Sequence, residues 1–455
     1  MKYRSTRGGV EGVSFLDSLL MGLATDGGLL LPESIPNITD SLDRLRGLTF
    51  VELAQDIMPR FIDDVPEAEL AELIRQAYAS FDHPEVVAMQ QLGDIQVLEL
   101  FHGPTLAFKD VALQLVGKLF ELALKRTGSH LNILGATSGD TGSAAIAGVR
   151  GQSNIDIFIL YPDAKVSPLQ ELQMTTVPDE NVHCVAIDGS FDDCQGLMKE
   201  IFADLEFKQK HNLGAVNSVN WARVLAQVVY YGYASLRAKG KANFCVPTGN
   251  FGNVFAGYIA RKMGFPIDQL VVATNENDIL ARFFASGEYA RADVHFTLSP
   301  AMDIQVASNF ERFLFYLLGE DSERLTQFMQ DFQATGRASL GSAWQGAAAH
   351  GFQACAVNTD ETLAAVQRTH AQYGYVLDPH TAVGIAAAEK LSIDGEVVCI
   401  ATAHPAKFPD AVSRAVPSVV PTHERLEQLR GLPERKAKLP ADIESIKAYI
   451  VEQTS

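Results

Sequence analysis

Cysteine, tryptophan and positive charge are all in short supply in this chain of 455 residues. Its five cysteines stand far apart at 184, 194, 245, 355 and 399, and no two form a CxxC pair. An odd number at such spacing predicts neither a disulfide framework nor a Cys-rich metal site, and no other metal-ligand pattern is present. Buried, reduced thiols in a cytosolic enzyme are the expectation. Lys and Arg number 37 against 55 Asp and Glu, a net charge of −18. That balance argues against a nucleic-acid binder, which needs clustered cations along a phosphate backbone, and against docking on an anionic membrane. It leaves small anionic ligands open, because they respond to local fields. No stretch approaches the ~20 apolar residues of a membrane span. The first apolar run, from Val13 to Ala24, is broken by Asp17, and the start MKYRSTRGG has no apolar signal core. The expectation is a soluble, cytoplasmic, unprocessed protein.

What is present is an ordinary globular composition, 47 % hydrophobic and 20 % charged, long enough for two or three domains. Residues 1–90 read as a mostly helical N-terminal extension, with a helical pattern over 48–80 interrupted near 63–66. From residue 95 onward, continuous apolar strands alternate with helices. Strands are expected at 95–101, 131–136, 155–161, 182–187, 242–246, 270–274 and 396–402. Helices are expected at 111–125, 143–149, 192–208, 221–238, 254–263, 360–373 and 381–391, and from about 168 and 409. This alternation predicts an α/β fold with parallel sheets covered on both faces. We divide it into an α/β domain over 91–240 and a second over 241–455, the latter with a helical insertion near 285–350. Ligand sites are expected at the carboxyl ends of the strands.

Three strand-to-helix loops carry candidate chemistry. PTGNFGN at 247–253 is glycine-rich, so backbone N–H groups can approach an anion at a helix N-terminus. It is neither a Walker A loop nor a full GxGxxG. A tight turn without ligand is the competing reading. ATSGDTGS at 136–143 offers hydroxyls and several N–H groups to a carboxylate or phosphate; the plain alternative is a helix cap. FHGPTLAFKD at 101–110 places Lys109 among apolar neighbours just before a helix. Burial and the helix field both lower an amine's pKa, and a lysine neutral near pH 7 suits Schiff-base chemistry. A lysine on a solvated loop is the alternative, and His102 reads best as a structural hydrogen-bonder. Taken together, the three loops suit an aldehyde cofactor bearing a phosphate, pyridoxal 5′-phosphate: Lys109 for the aldehyde, GNFGN for the phosphate, SGDTG for a substrate carboxylate.

The chain resembles the threonine synthases, fold-type II pyridoxal-phosphate enzymes built like the tryptophan synthase β subunit. The matching segments are YRSTRG at 3–8, GLATDGGLLLP at 22–32, HGPTLAFKD at 102–110, GATSGDTGSAA at 135–145, PTGNFGN at 247–253, SPAMDIQVASNFER at 299–312, DPHTAVG at 378–384 and ATAHPAKFP at 401–409. The long N-terminal segment and the insertion resemble the enteric-bacterial and fungal branch.

The resemblance implies conversion of O-phospho-L-homoserine and water to L-threonine and phosphate, the last step of threonine biosynthesis and a carbon–oxygen lyase reaction on a phosphate ester. It implies that Lys109 binds the cofactor aldehyde and then moves protons as a free amine. Gly249, Asn250, Phe251, Gly252 and Asn253 would hold the cofactor phosphate, and Thr402 would face the pyridine nitrogen. Ser138, Gly139, Asp140 and Thr141 would receive the substrate carboxylate. Asn309 and Arg312, with Lys165 and Ser167, are candidates for the substrate phosphate. One departure stands out: many type II relatives have Asn where this chain has Asp140, and a carboxylate there would repel the cofactor's phenolate oxygen. The implied assembly is a monomer or homodimer. The rival readings are a related phospholyase releasing 2-oxobutanoate, another type II activity, and a non-catalytic binding paralogue.

Overall fold

Most of the strands pair into two sheets, parallel but for one edge strand, whose central runs are buried on both faces. The computed structural model describes every residue except Ser138 and Ser455, and of Ala343 the backbone alone. The larger sheet has six strands in the order Phe352–Ala356, Ile267–Thr274, Ala242–Pro247, Glu396–Ala401, Ile95–Glu99 and Ala88–Leu92. All are parallel except Ala88–Leu92, which returns antiparallel on Ile95–Glu99 through a turn at Gly93. The smaller sheet is parallel throughout, in the order Ala437–Pro440, Val182–Asp188, Ile155–Pro162, Leu131–Ala136 and Leu213–Gly214. Every residue of Ala242–Pro247 is buried, as in a strand covered by helices on both sides.

The expected domain limits at 90/91 and 240/241 do not follow these sheets. Strand Ile95–Glu99, assigned above to the first α/β domain, lies in the larger sheet beside Glu396–Ala401. Strand Ala437–Pro440 and helix Ile443–Gln453, assigned to the second, belong to the smaller sheet. Pairing is decided in space, and the chain crosses between sheets more than once. The 285–350 region is only partly helical. It holds helices Phe310–Leu317 and Ser322–Thr335 but also the antiparallel pair Glu288–Ala290 and Arg337–Ser339.

The N-terminal extension packs on helix Trp221–Arg237, in which every residue from Trp221 to Leu236 is buried. Tyr3 and Phe61 meet the Trp221 ring, and Phe50 meets Tyr233. All five cysteines are buried and unpaired. Among the described residues no helix is long and apolar enough to cross a membrane.

Three helices begin at the carboxyl side of strands: Lys109–Thr127 and Gly252–Met263 from the larger sheet, Asp140–Val149 from the smaller. Their N-termini carry the loops singled out above.

Candidate active site

Lys109 is the first residue of its helix, two positions earlier than the apolar pattern suggested. The preceding loop is sewn to the segment after strand Glu396–Ala401: Phe108 N donates to Thr402 O at 2.8 Å and His404 N to Leu106 O at 3.0 Å. This pairing sets Lys109 beside Thr402. Burial pushes the Lys109 amine down to about 8; Asp140 opposes that shift, and the nearby Lys407 and Arg223 charges add to it. Its neighbour Asp110 is fully buried and accepts from Thr105 N and Oγ1 at 2.8 and 2.7 Å. Burial raises that carboxyl to about 6 in spite of these bonds.

Asp140 opens the helix of the smaller sheet, with its Oδ2 4.0 Å from Lys109 Nζ. Its Oδ1 lies 2.9 Å from Lys407 Nζ and accepts from Gln170 Nε2 at 2.8 Å. Burial alone would raise this carboxyl, but the Lys407 and Lys109 charges overcome it and hold Asp140 well below the usual range. Gly139 precedes it, and Thr141 follows it in the helix. The Thr137 hydroxyl accepts from Gly139 N and Gly142 N at 3.0 Å, so that hydroxyl caps the helix and does not face a ligand. Ser138 lies outside the described residues.

In the 247–253 loop, Gly249 packs so tightly that a Cβ there would sit 2.7 Å from Ala301 O. Asn250 O accepts from Asn309 N at 3.0 Å. Phe251 adopts φ +65°, a left-handed conformation that a non-glycine residue rarely adopts, and its ring packs against Phe310 and Phe313. The helix that starts at Gly252 has no side-chain cap. Asn253 Oδ1 accepts from both Tyr230 and Tyr231 hydroxyls, at 2.6 and 2.8 Å, while its buried Nδ2 has no partner among the described residues. Two tyrosines thus fix the amide with an idle donor at an uncapped helix N-terminus. A phosphate fits that arrangement.

Thr402 N donates to Thr381 Oγ1 at 3.2 Å, and Thr381 is bonded in turn to Asp378. His380 Nδ1 donates to Asp378 at 3.0 Å, while its Nε2 accepts from Ala301 N at 3.4 Å. The DPHT segment therefore ties Thr402 to the stretch that backs Gly249.

The structure gives each of the substrate-phosphate candidates a partner within the protein. Arg312 is fully buried, and its guanidinium donates to Leu30 O, Val219 O and Asn309 Oδ1. Asn309 Nδ2 donates to Ser218 O at 3.0 Å. Both brace the phosphate loop from behind. Lys165 Nζ donates to Gly189 O on the surface, and Ser167 caps helix Pro168–Thr175. Two residues to which the sequence reading gave no role stand in the site. Lys407 is one. The other is Arg223, 5 % exposed, with Nε and Nη1 buried and without partners among the described residues. The visible signal for Arg223 was a charged residue in an otherwise apolar helix, a pattern that demands a partner.

These loops match known proteins from end to end. Three sequence profiles fit the chain: "Threonine synthase N terminus" over 2–78, "Pyridoxal-phosphate dependent enzyme" over 90–403 and "Threonine synthase, C-terminal" over 381–450. The threonine synthase of Saccharomyces cerevisiae is 44 % identical, covering 99 % of this chain and 98 % of its own. That of Pseudomonas aeruginosa is also 44 % identical at the same coverage. The crystal structure of pyridoxal-phosphate-bound threonine synthase from Brucella melitensis superimposes with a TM-score of 0.97 at 44 % identity, over 100 % of this chain and 99 % of that one. The chain belongs to the threonine synthase family of fold-type II pyridoxal-phosphate enzymes.

Proposed function

We propose that in converting O-phospho-L-homoserine and water to L-threonine and phosphate, Lys109 is the amine that moves protons and Arg223 receives the substrate phosphate. One observation carries this reading: a buried amine pushed down to about 8 has among its near charges a guanidinium whose buried Nε and Nη1 find no partner among the described residues. A drop from 10.5 to about 8 makes the neutral amine roughly 300-fold more abundant near pH 7. Lys109 can therefore take a proton from carbon and return it within one turnover.

Lys109, the 249–253 backbone with Asn253 Nδ2, and Thr402 would hold pyridoxal phosphate, which would supply an electron sink that acidifies the carbon bonded to the substrate's amine. The first turn of helix Asp140–Val149 receives the substrate carboxylate through its N–H groups. Arg223 steadies the ester phosphate and the phosphate that leaves. Buried guanidinium nitrogens without partners are costly, and a phosphate arriving beside them offsets that cost.

Two measurements test the assignment. Borohydride reduction of the holoenzyme followed by peptide mapping should leave the cofactor's mass on Lys109, and a tag on any other lysine rejects the reading. Supplied with O-phospho-L-homoserine, wild-type protein should release threonine and not 2-oxobutanoate, and Lys109→Ala should lose at least a thousandfold in rate.

A further inference from the structure

Lys407 is 1 % exposed and stands at the end of the short 3-10 helix Pro405–Lys407, just beyond Thr402. Its Nζ donates to Thr105 O at 2.7 Å, inside the loop that carries Lys109. The same Nζ lies 2.9 Å from Asp140 Oδ1, on the helix of the smaller sheet. One ammonium thus joins the lysine loop, the Thr402 segment and the carboxylate loop. Lys109 is farther from that carboxylate, at 4.0 Å.

An ionised carboxylate beside an amine favours the ammonium form. A solitary Asp140 would keep Lys109 protonated, against the needs of its chemistry. The charged groups that bear on Lys109 are Asp140 and Asp110 on one side, Lys407 and Arg223 on the other. His380 and Gln170 also bear on Asp140. We propose that Lys407 is a positioning residue, the counter-ion that occupies Asp140 and so releases the Lys109 amine from it. The inference rests on the reading of Lys109 as the cofactor-binding lysine. It also accounts for Asp140 standing where many type II relatives carry Asn. A carboxylate paired with Lys407 presents little net charge to the cofactor's phenolate oxygen.

The test is the pH dependence of Lys109 acylation in the full-length protein freed of cofactor, read by peptide mapping. In the wild type the midpoint should lie near 8. Lys407→Met should raise it by about one pH unit or more. Lys407→Arg should leave it within about half a unit, and adding Asp140→Asn to Lys407→Met should bring it back down. Asp140→Asn alone, with Lys407 retained, should move the midpoint below that of the wild type. A lysine that merely props Thr105 would leave the midpoint of Lys407→Met where it is in the wild type. An unmoved midpoint in folded Lys407→Met overturns the proposal, and so does an unmoved or raised midpoint in Asp140→Asn if the first variant fails to fold. Borohydride mapping of the same holoenzymes separates the two ideas: a tag away from Lys109 removes the lysine assignment whatever the midpoints do.

Discussion

Arg223 sits in a helix enclosed on every side, and burial alone lowers its guanidinium to about 10. Gln227 and Tyr230 follow at four and seven positions on the same helical face, and Tyr230 bonds Asn253. The arginine is thus on the face that leads to the 247–253 loop, near Lys109 and short of partners among the described residues. Arg223→Met should raise KM for O-phospho-L-homoserine at least tenfold, with cofactor content unchanged. Arg223→Lys should recover part of the loss, because an ammonium keeps the charge without the bidentate fork. The reverse pattern, cofactor lost and KM constant, would assign Arg223 to the cofactor phosphate. At this scale the sequence was readable where glycine or lysine interrupts a loop, and opaque where function hides in a helix. Asn309 and Arg312 misled for the opposite reason: they lie in a recognisable motif, but both are occupied in holding up Leu30, Val219 and Ser218 backbone.

Two helices set the distance between Lys109 and Asp140. Helix Lys109–Thr127 and helix Asp140–Val149 touch where a Cβ on Gly117 would lie 1.9 Å from Gly148 O. From that crossing each helix runs back eight residues, about 12 Å, to its charged N-terminal side chain. Equal arms from one contact bring the two charges together. Gly117→Ala should force the helices apart, costing on the order of 3 kcal/mol. The Lys109–Asp140 spacing should open with it, so the purified variant should hold less cofactor and melt earlier. Full cofactor content with an unchanged Tm would mean that the crossing does not set the site. Strands such as Leu131–Ala136 and Ala242–Pro247 were legible because unbroken apolar runs have few alternatives. Strand Ala88–Leu92, with exposed Gln91 at the sheet edge, and the four-residue Ala437–Pro440 carry no such run, and only pairing in space makes them strands.

The largest feature missed was the route of the whole chain. After completing the larger sheet, it returns to add strand Ala437–Pro440 beside Val182–Asp188 and to lay helix Ile443–Gln453 on the smaller sheet. Ile446 and Ile450 enter a separate core with Leu134, Phe158, Val185 and Ile201. Lys438 and Lys436 pair with Asp163 and Glu171 along the way. The strand covers what would otherwise be an open, apolar sheet edge. Asp140 hangs from this smaller sheet while Lys109, Thr402 and the phosphate loop hang from the larger, so the terminal segment bears on the site from a distance. Ile450→Asp places an unpaired charge in that core and should cost about 3–5 kcal/mol, concentrated in the smaller sheet. Both tryptophans report elsewhere: Trp221 packs with Tyr3 and Phe61, and Trp344 with Phe283. In moderate urea the variant should therefore keep native tryptophan fluorescence while amide hydrogens in 131–136 and 182–188 exchange quickly. Cofactor retention should fall over the same range, because Asp140 loses its footing before Lys109 does. If fluorescence and exchange moved together, the two sheets would unfold as one unit and the terminal segment would hold no separate share of the active site.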